Sequence, residues 1–206
     1  MTLLTRKLTA ACVVAAACVA LVTGGRALFG PGGRLAADRG IAARSKGDPK
    51  ARVWIVEYLD FQCLACSQAG PLLREYMEKH PSEVYLQARF YPLIRTDHRY
   101  GVKSAIYADC AAVQGKFWPF HDLLFEKQAE WSASEDPDAV FHGYARGLGI
   151  DERRLSACVD DPAIKKQVLG EKAEAMDLGV RSTPTFFING RMVVGLESLE
   201  DELREK

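Results

Sequence analysis

Cys63-Leu64-Ala65-Cys66 stands where an apolar run ends and a helical pattern begins. Upstream, the residues from Arg52 to Asp60 are mostly β-branched or aromatic, which predicts a buried central strand. Downstream, apolar residues recur at helical spacing as far as His80, with Pro71 inside the run. Two thiols on one helical turn can close a disulfide or exchange it with another protein. Zinc sites use the same spacing, so the motif alone leaves a redox pair and a metal site open.

The remaining pattern predicts a second strand, a helical block and a final hairpin. Glu83 to Tyr91 alternates apolar and polar residues, which predicts a strand. Asn189-Gly190 is a strong hairpin signal between the strands Thr185–Ile188 and Met192–Val194, and a closing helix is predicted over Ser198–Glu205. The helical block is predicted as Tyr100–Val113, Phe117–Gln128, Asp138–Leu148, Glu152–Val159 and Pro162–Leu178, with Asp151 and Asp161 as N-caps.

A second motif lies about 120 residues beyond the cysteine pair, where Thr183-Pro184 precedes a strand-like run. CxxC after a strand, with a distant Thr-Pro before another strand, resembles the thioredoxin superfamily. Three segments are similar to the DsbA-type thiol–disulfide oxidoreductases: VEYLDFQCLAC (56–66), GKFWPFHDLLF (115–125) and GVRSTPTFFING (179–190). The resemblance covers about residues 50–206. It implies an α/β thioredoxin fold with a helical insertion, at about 98–178, between the βαβ half and the C-terminal ββα half.

The two thiols of the motif are expected to differ. At the start of a helix, free N–H groups and the helix dipole favour a thiolate on Cys63, which should be the exposed nucleophile. Cys66, one turn further in, should resolve the mixed disulfide. A purely structural bond is disfavoured, because a link from i to i+3 closes almost no loop. A metal site would need more ligands, and neither Cys110 nor Cys158 has a CxxC companion.

The resemblance also implies roles for Glu57 and for Thr183-Pro184. An acid in a buried strand is costly without a role or a partner. In the family, an acid six residues before the first cysteine helps to deprotonate the resolving thiol, which here is Cys66; a strand-edge salt bridge of Glu57 is the alternative. Thr183-Pro184 is similar to the cis-proline loop, which implies that the Thr183 backbone pairs with an extended substrate beside Cys63. An ordinary trans proline is the alternative.

One departure from the family concerns the two residues between the cysteines. DsbA-type proteins usually carry Pro-His or Pro-Tyr there, and a histidine helps to stabilise the thiolate. Leu64-Ala65 offers neither a charge nor a side-chain donor, so the backbone alone is expected to lower the pKa of Cys63. We expect that pKa to lie below that of a free thiol but well above the DsbA value of about 3.5. The reduction potential should then be more negative than about −120 mV.

The six cysteines fall into two groups. Cys12 and Cys18 lie in an apolar N-terminal segment and are expected to be inert. The other four would belong to an exported domain, where an even number favours disulfides. Some members of the family carry a second disulfide in the insertion, which implies a Cys110–Cys158 bond worth about 4 kcal/mol by loop entropy. Two buried free thiols are the alternative.

The N-terminus has the pattern of a targeting segment. Arg6-Lys7 precedes a short apolar run over 8–22, as in a signal peptide. A cleaved signal peptide, an uncleaved membrane anchor over residues 1–30 and a lipoprotein site at Cys18 remain open, and each would export the rest of the chain. Residues 31–49, rich in Gly, Ala and charge, are predicted to be a linker. The domain at 50–206 is therefore expected to be periplasmic or otherwise extracytoplasmic.

The charge distribution argues against a nucleic-acid partner. Four of the 27 basic residues and none of the 27 acidic ones lie in the first 34 positions, so the remainder carries a net charge of −4. A basic surface is therefore not expected. We predict an oxidoreductase that donates the Cys63–Cys66 disulfide to client proteins without a metal or another cofactor. The resemblance implies a separate membrane redox partner that resets the pair. A reductase or isomerase, and a metal-binding or metallochaperone module, are the alternatives.

Overall fold

A five-stranded mixed sheet forms the centre of the protein, and the computed structural model describes residues 39–205. The strand order is β1-β3-β2-β4-β5, with β2 and β3 parallel and the other neighbouring strands antiparallel. The strands are β1 Ser45–Gly47, β2 Val53–Leu59, β3 Val84–Phe90, β4 Thr185–Ile188 and β5 Arg191–Val194. The helices are α1 Arg39–Ala43, α2 Leu64–Lys79, α3 Gly101–Val113, α4 Phe117–Glu126, α5 Gln128–Ala133, α6 Pro137–Gly147, α7 Glu152–Val159, α8 Pro162–Asp177 and α9 Leu196–Arg204.

The register of the sheet brings distant segments to one edge. Every residue of β2 is buried, which confirms the central strand expected from its composition. The parallel strands β2 and β3 end together, with Leu59 opposite Phe90. Strand β4 runs the other way and begins at that edge, with Thr185 opposite Tyr58. The CxxC motif after β2 and the Thr-Pro motif before β4 therefore lie at the same edge.

Helix α2 connects the two parallel strands and packs on the sheet. It begins directly after Cys63, which is its N-cap, and contains Pro71. Its buried side chains are Cys66, Ala69, Leu73 and Tyr76. The last three join an apolar cluster that also takes residues from the sheet and from α9. The helical spacing seen in the sequence thus reflects one face that is covered by the sheet.

The helices α3 to α8 lie between β3 and β4 in the chain, where the insertion was predicted. Asp151 and Asp161 cap α7 and α8, as expected. Most predicted helix ends are within one residue of those observed, but the helix predicted over Phe117–Gln128 is divided: α4 ends at Glu126, and a separate helix, α5, begins at Gln128. Trp131 of α5 is fully buried, and its indole N–H donates to the Leu124 carbonyl at 2.7 Å, so α5 packs back on the end of α4.

The prediction of a linker over 31–49 is wrong for residues 39–47, which form α1 and β1. Strand β1 pairs with β3, and the side chain of Arg44 is fully buried. Its guanidinium bonds Glu171 of α8 and lies 3.3 Å from Asp109 of α3. The segment is short and polar, so its sequence shows no apolar pattern; its partners lie far away in the chain. Residues 31–38, and the targeting segment with Cys12 and Cys18, lie outside the described residues.

No helix within residues 39–205 is long and apolar enough to cross a membrane.

Candidate active site

Cys63 and Thr183 meet at the edge of the sheet where β2 ends and β4 begins. The sulfur of Cys63 lies 3.4 Å from the carbonyl oxygen of Thr183, to which the thiol donates. The Thr183–Pro184 peptide bond is cis. Cys63 is partly exposed, whereas Cys66 is fully buried. The structure therefore brings the two sequence motifs together around one accessible thiol.

The loop before Cys63 is held by a buried carboxylate that the sequence analysis did not single out. Asp60 accepts hydrogen bonds from the backbone N–H groups of Gln62 and Leu93, both at 2.7 Å. It also lies 2.9 Å from Nδ1 of His98. A Cβ atom on Gly101 would lie 3.0 Å from its Oδ2 atom, so a larger residue at the start of α3 would press against this carboxylate. The sequence could have pointed to Asp60 as an acid that directly follows a buried strand and lies three residues before Cys63.

The pKa of Cys63 is lowered to about 6. The largest cause is a hydrogen bond from the Cys66 thiol, which stabilises the Cys63 thiolate; Thr183 and the backbone N–H groups of Ala65 and Cys66 act in the same direction, and burial opposes them. The expectation that the backbone alone would lower this pKa is therefore incomplete, because the second thiol contributes most.

Cys66 is placed to keep its proton. Burial raises the pKa of the Cys66 thiol well above its usual range, and the hydrogen bond to Cys63 and the charges of Cys63 and Glu57 raise it further. At neutral pH the reduced pair thus holds one thiolate, on Cys63, and one thiol, on Cys66. This asymmetry is the arrangement that thiol exchange through a mixed disulfide requires.

Glu57 lies buried in β2 and favours its protonated form. Burial raises the pKa of its carboxyl to about 8, with a further increase from Cys63 and an opposing effect of Lys46. Its Oε1 atom has no hydrogen-bond partner within the described part of the chain. The alternative of a strand-edge salt bridge does not fit, because β2 is a central strand. Glu57 can therefore hold or release a proton near neutral pH.

Lys46 is a titratable group on the same face of the sheet as Glu57. The sequence analysis did not single it out, because it placed this residue in a linker. Lys46 lies opposite Leu86 in β3, which is in register with Ile55 of β2, two residues before Glu57. Its Nζ atom is 4.1 Å from the centre of the Trp118 ring. Burial lowers the pKa of Lys46, and the charges of Asp122 and Glu57 oppose that change. Lys46 thus favours the ionised form of Glu57.

The other two cysteines among residues 39–205 belong to the insertion. Cys110 of α3 and Cys158 of α7 form a disulfide with a Cα–Cα distance of 5.8 Å, whereas Cys63 and Cys66 are free thiols. Among residues 39–205, no group of three or more His, Cys, Asp or Glu side chains is arranged to hold a metal ion. Within this part of the chain, the thiol pair has no further ligands beside it.

A family model described as thioredoxin matches residues 41–204. The chain belongs to the thioredoxin family. Its fold is similar to that of a thioredoxin-like oxidoreductase from Silicibacter pomeroyi DSS-3, with 24% identity and a TM-score of 0.68 over 83% of this chain and 94% of that one. It is also similar to α-DsbA1 of Wolbachia pipientis, with 21% identity and a TM-score of 0.65 over 79% of this chain and 89% of that one. The thioredoxin fold with a helical insertion, which the sequence implied, is confirmed.

Curated relatives of this thioredoxin-family chain include a much longer protein. The Na(+)/H(+) antiporter NhaA 3 of Salinispora tropica is 37% identical over 157 residues, which are 75% of this chain but 23% of the antiporter. The chain thus spans less than a quarter of that relative's length. The likeness supports the thioredoxin-family assignment of the matched region, and the antiporter's name describes the relative as a whole.

Proposed function

We propose that this protein is a thiol–disulfide oxidoreductase in which Cys63 exchanges with client proteins and Cys66 resolves the mixed disulfide. The observation that carries the proposal is the asymmetry of the pair. A partly exposed thiol with a pKa of about 6 lies beside a fully buried thiol whose pKa is raised. A structural disulfide needs no such difference, whereas exchange needs one nucleophilic and one protected sulfur.

In the oxidative direction, a client thiolate attacks the sulfur of Cys63 in the Cys63–Cys66 disulfide. The bond between the two cysteines breaks, and Cys66 leaves as a thiolate that must take up a proton because it is buried. A second client thiolate then attacks the client sulfur of the mixed disulfide and releases Cys63 as a thiolate. The client loses two electrons and the protein gains them. The low pKa of Cys63 favours this last release, since a stable thiolate is a good leaving group.

We propose that Glu57 supplies the proton that the Cys66 thiolate takes up. Its carboxyl has a pKa of about 8 and is therefore mostly protonated at neutral pH. When Glu57 is ionised, its charge raises the pKa of the Cys66 thiol. Glu57 can give its proton to the departing Cys66 thiolate and recover it when the pair is reoxidised. A general acid with a pKa near the working pH is suited to this transfer.

The backbone of Thr183 is proposed to receive the client. Its carbonyl oxygen lies 3.4 Å from the sulfur of Cys63, so an extended peptide pairing there would have its own cysteine beside the nucleophile. Backbone pairing holds a peptide without reading its side chains. Such a site suits an enzyme that acts on many client proteins.

The oxidative direction is proposed because a stabilised thiolate favours the reduced form of the pair, which makes its disulfide an oxidant. The test is to mix the oxidised protein with a reduced, unfolded client in the absence of other oxidants and to count client thiols. Stoichiometric loss of client thiols with reduction of Cys63–Cys66 supports an oxidant. If the protein instead accelerates the reduction of disulfide-bonded insulin over the uncatalysed reaction, and does not oxidise the client, the reductase or isomerase alternative would be favoured.

The proposal includes export and a membrane redox partner that reoxidises the pair. Export rests on the basic start and apolar run of the first 30 residues. A reporter enzyme that works only outside the cytoplasm should be active when it is fused after residue 38. Activity of a cytoplasm-only reporter at the same position, with none from the first reporter, would contradict export and leave the thiol chemistry unaffected.

A further inference from the structure

Gln128, the first residue of α5, connects the helical insertion to the loop that carries the nucleophile. Its side-chain Nε2 donates to the carbonyl oxygen of Phe61 at 2.7 Å and to that of Cys63 at 3.1 Å. The side chain is half-buried, and the two bonds use both of its amide hydrogens. One side chain of the insertion thus holds the last turn of the loop and the N-cap residue of α2.

The carbonyl of Cys63 has a second role in the first turn of α2. It also accepts a hydrogen bond from the Ser67 backbone N–H at 3.2 Å, which is the first bond of that helix. The N–H groups of Ala65 and Cys66, which stabilise the Cys63 thiolate, lie in the same turn. A group that fixes the Cys63 carbonyl therefore fixes the direction in which these N–H groups point.

A separate contact holds Gln62, the residue between Phe61 and Cys63. The backbone N–H of Tyr100, at the start of α3, donates to Oε1 of Gln62 at 2.6 Å. The insertion therefore holds the segment 60–63 at two places, and the bond from Gln128 reaches the nucleophile's own residue. If Gln128 were removed, Gln62 and Tyr100 would still hold the loop, so the loop should remain folded but be less well fixed at Cys63.

We propose that Gln128 is a positioning residue for the thiol pair, because by holding the carbonyls of Phe61 and Cys63 it fixes the first turn of α2 against the Cys63 sulfur. The insertion then takes part in setting the redox balance of the pair, in addition to covering the domain. This inference rests on the proposed function in treating Cys63 as the nucleophile. Its test, however, measures only the titration and redox equilibrium of the thiols.

The chain offers a matched control, Gln114. Its side chain makes the same kind of bonds inside the insertion: Nε2 donates to the Asp151 carbonyl at 3.2 Å, and Oε1 accepts from the Asp151 backbone N–H at 3.0 Å. Both glutamines join helix ends to neighbouring backbone, but only the Gln128 side chain is bonded to the Cys63 loop in the described residues. Gln114→Ala should therefore cost stability without altering the thiols.

The experiment compares Gln128→Ala, Gln128→Glu and Gln114→Ala in the full domain with its Cys110–Cys158 bond. The Cys63 pKa is followed by thiolate absorbance, and the equilibrium with glutathione gives the reduction potential. We expect both Gln128 variants to raise the pKa and to shift the glutathione equilibrium by about three- to tenfold toward the disulfide form, the size of one weakened hydrogen bond. Gln128→Glu retains the side-chain size, so it keeps the test available if the alanine variant folds poorly.

Wild-type pKa and potential in folded Gln128→Ala and Gln128→Glu would overturn the proposal. An equal shift in Gln114→Ala would also overturn it, because general loosening of the insertion would then be the cause. The proposed function can fail separately: a wild-type protein that exchanges no disulfide with clients, but whose Cys63 pKa still depends on Gln128, would refute the oxidoreductase assignment alone.

Discussion

The sulfur of Cys63 lies 3.4 Å from the carbonyl oxygen of Thr183, a residue 120 positions further along the chain. The contact results from the antiparallel pairing of β2 with β4, which makes one strand end where the other begins. The proposed nucleophile and the backbone group proposed to bind client peptides are thereby fixed at the ends of two buried strands, β2 and β4. The accessible thiol is thus held at the strand ends, where the proposed exchange with extended polypeptides would take place.

Replacing either cysteine should separate the two roles. Cys63→Ser should abolish exchange, because the remaining thiol is fully buried and its pKa is raised. Cys66→Ser should accumulate mixed disulfides between Cys63 and client proteins, because no resolving thiol remains. Non-reducing gels and a thiol-exchange assay measure both effects. Wild-type turnover by Cys63→Ser would refute the assignment of the nucleophile.

Glu57→Gln should slow exchange and change the dependence of stability on pH. The folded protein keeps a proton on Glu57 up to about pH 8, whereas an unfolded glutamate loses it near about pH 4.3. The folded state binds more protons between these values, so this contribution to stability is complete below about pH 4 and is lost as the pH rises through about 8. The variant should lack this loss, and its exchange should be slower by about 100-fold.

The control for Glu57 is Lys46→Met compared with Lys50→Met. Lys46 lowers the pKa of Glu57, so its removal should raise that pKa further, whereas Lys50 is exposed on a loop and should have no effect. Titration of the Glu57 carboxyl by NMR measures the shift. An unchanged stability profile in Glu57→Gln would mean that Glu57 is ionised in the folded protein, contrary to our account.

The Cys110–Cys158 bond should stabilise the insertion without affecting the active thiols. It joins residues 48 apart, and the loop-entropy model gives about 4 kcal/mol for such a loop. A Cys110→Ala/Cys158→Ala variant should therefore unfold at lower denaturant concentration and retain the Cys63 pKa. Peptide mapping without reductant tests the bond itself. Alkylation of both cysteines in the native, unreduced protein would show that they are not joined.

Arg44→Met should test the folded position of residues 39–47. The buried guanidinium is paired with Glu171 and Asp109, and its replacement removes a positive charge from beside both buried carboxylates. The expected loss is about 3–5 kcal/mol in the free energy of unfolding. Arg52→Met is the control, because its ion pair with Glu83 is exposed and should contribute little. Equal, small effects of the two variants would mean that the segment is not docked as described.

The sequence predicted the features that depend on local pattern. The buried strand β2, the helix after Cys63 and the N-caps Asp151 and Asp161 follow from composition and spacing. The contacts it did not predict are made by polar residues whose partners are distant in the chain. Arg44 lies 127 residues from Glu171, and Gln128 lies 65 from Cys63. Neither Arg44 nor Gln128 belongs to an apolar pattern, so the sequence gives no sign of their contacts, which appear only in the folded structure.

The pKa of Cys63 illustrates a further limit of sequence reasoning. The absence of a histidine between the cysteines correctly indicates a pKa between that of a free thiol and the DsbA value of about 3.5. Although Leu64 and Ala65 offer no side-chain donor, the backbone is not the only group that stabilises the Cys63 thiolate. The Cys66 thiol donates to it, and this depends on the side-chain geometry of the first helical turn.

The reduction potential of the Cys63–Cys66 pair tests the central claim most directly. A Cys63 pKa of about 6 lies between the values of about 3.5 for DsbA and about 7 for thioredoxin. Measured against a glutathione buffer, the potential should therefore lie between about −270 mV and about −120 mV. Installing Pro-His at positions 64 and 65 should make it less negative. A wild-type potential below about −270 mV, or a pair that does not equilibrate with glutathione, would contradict the assignment as a disulfide donor.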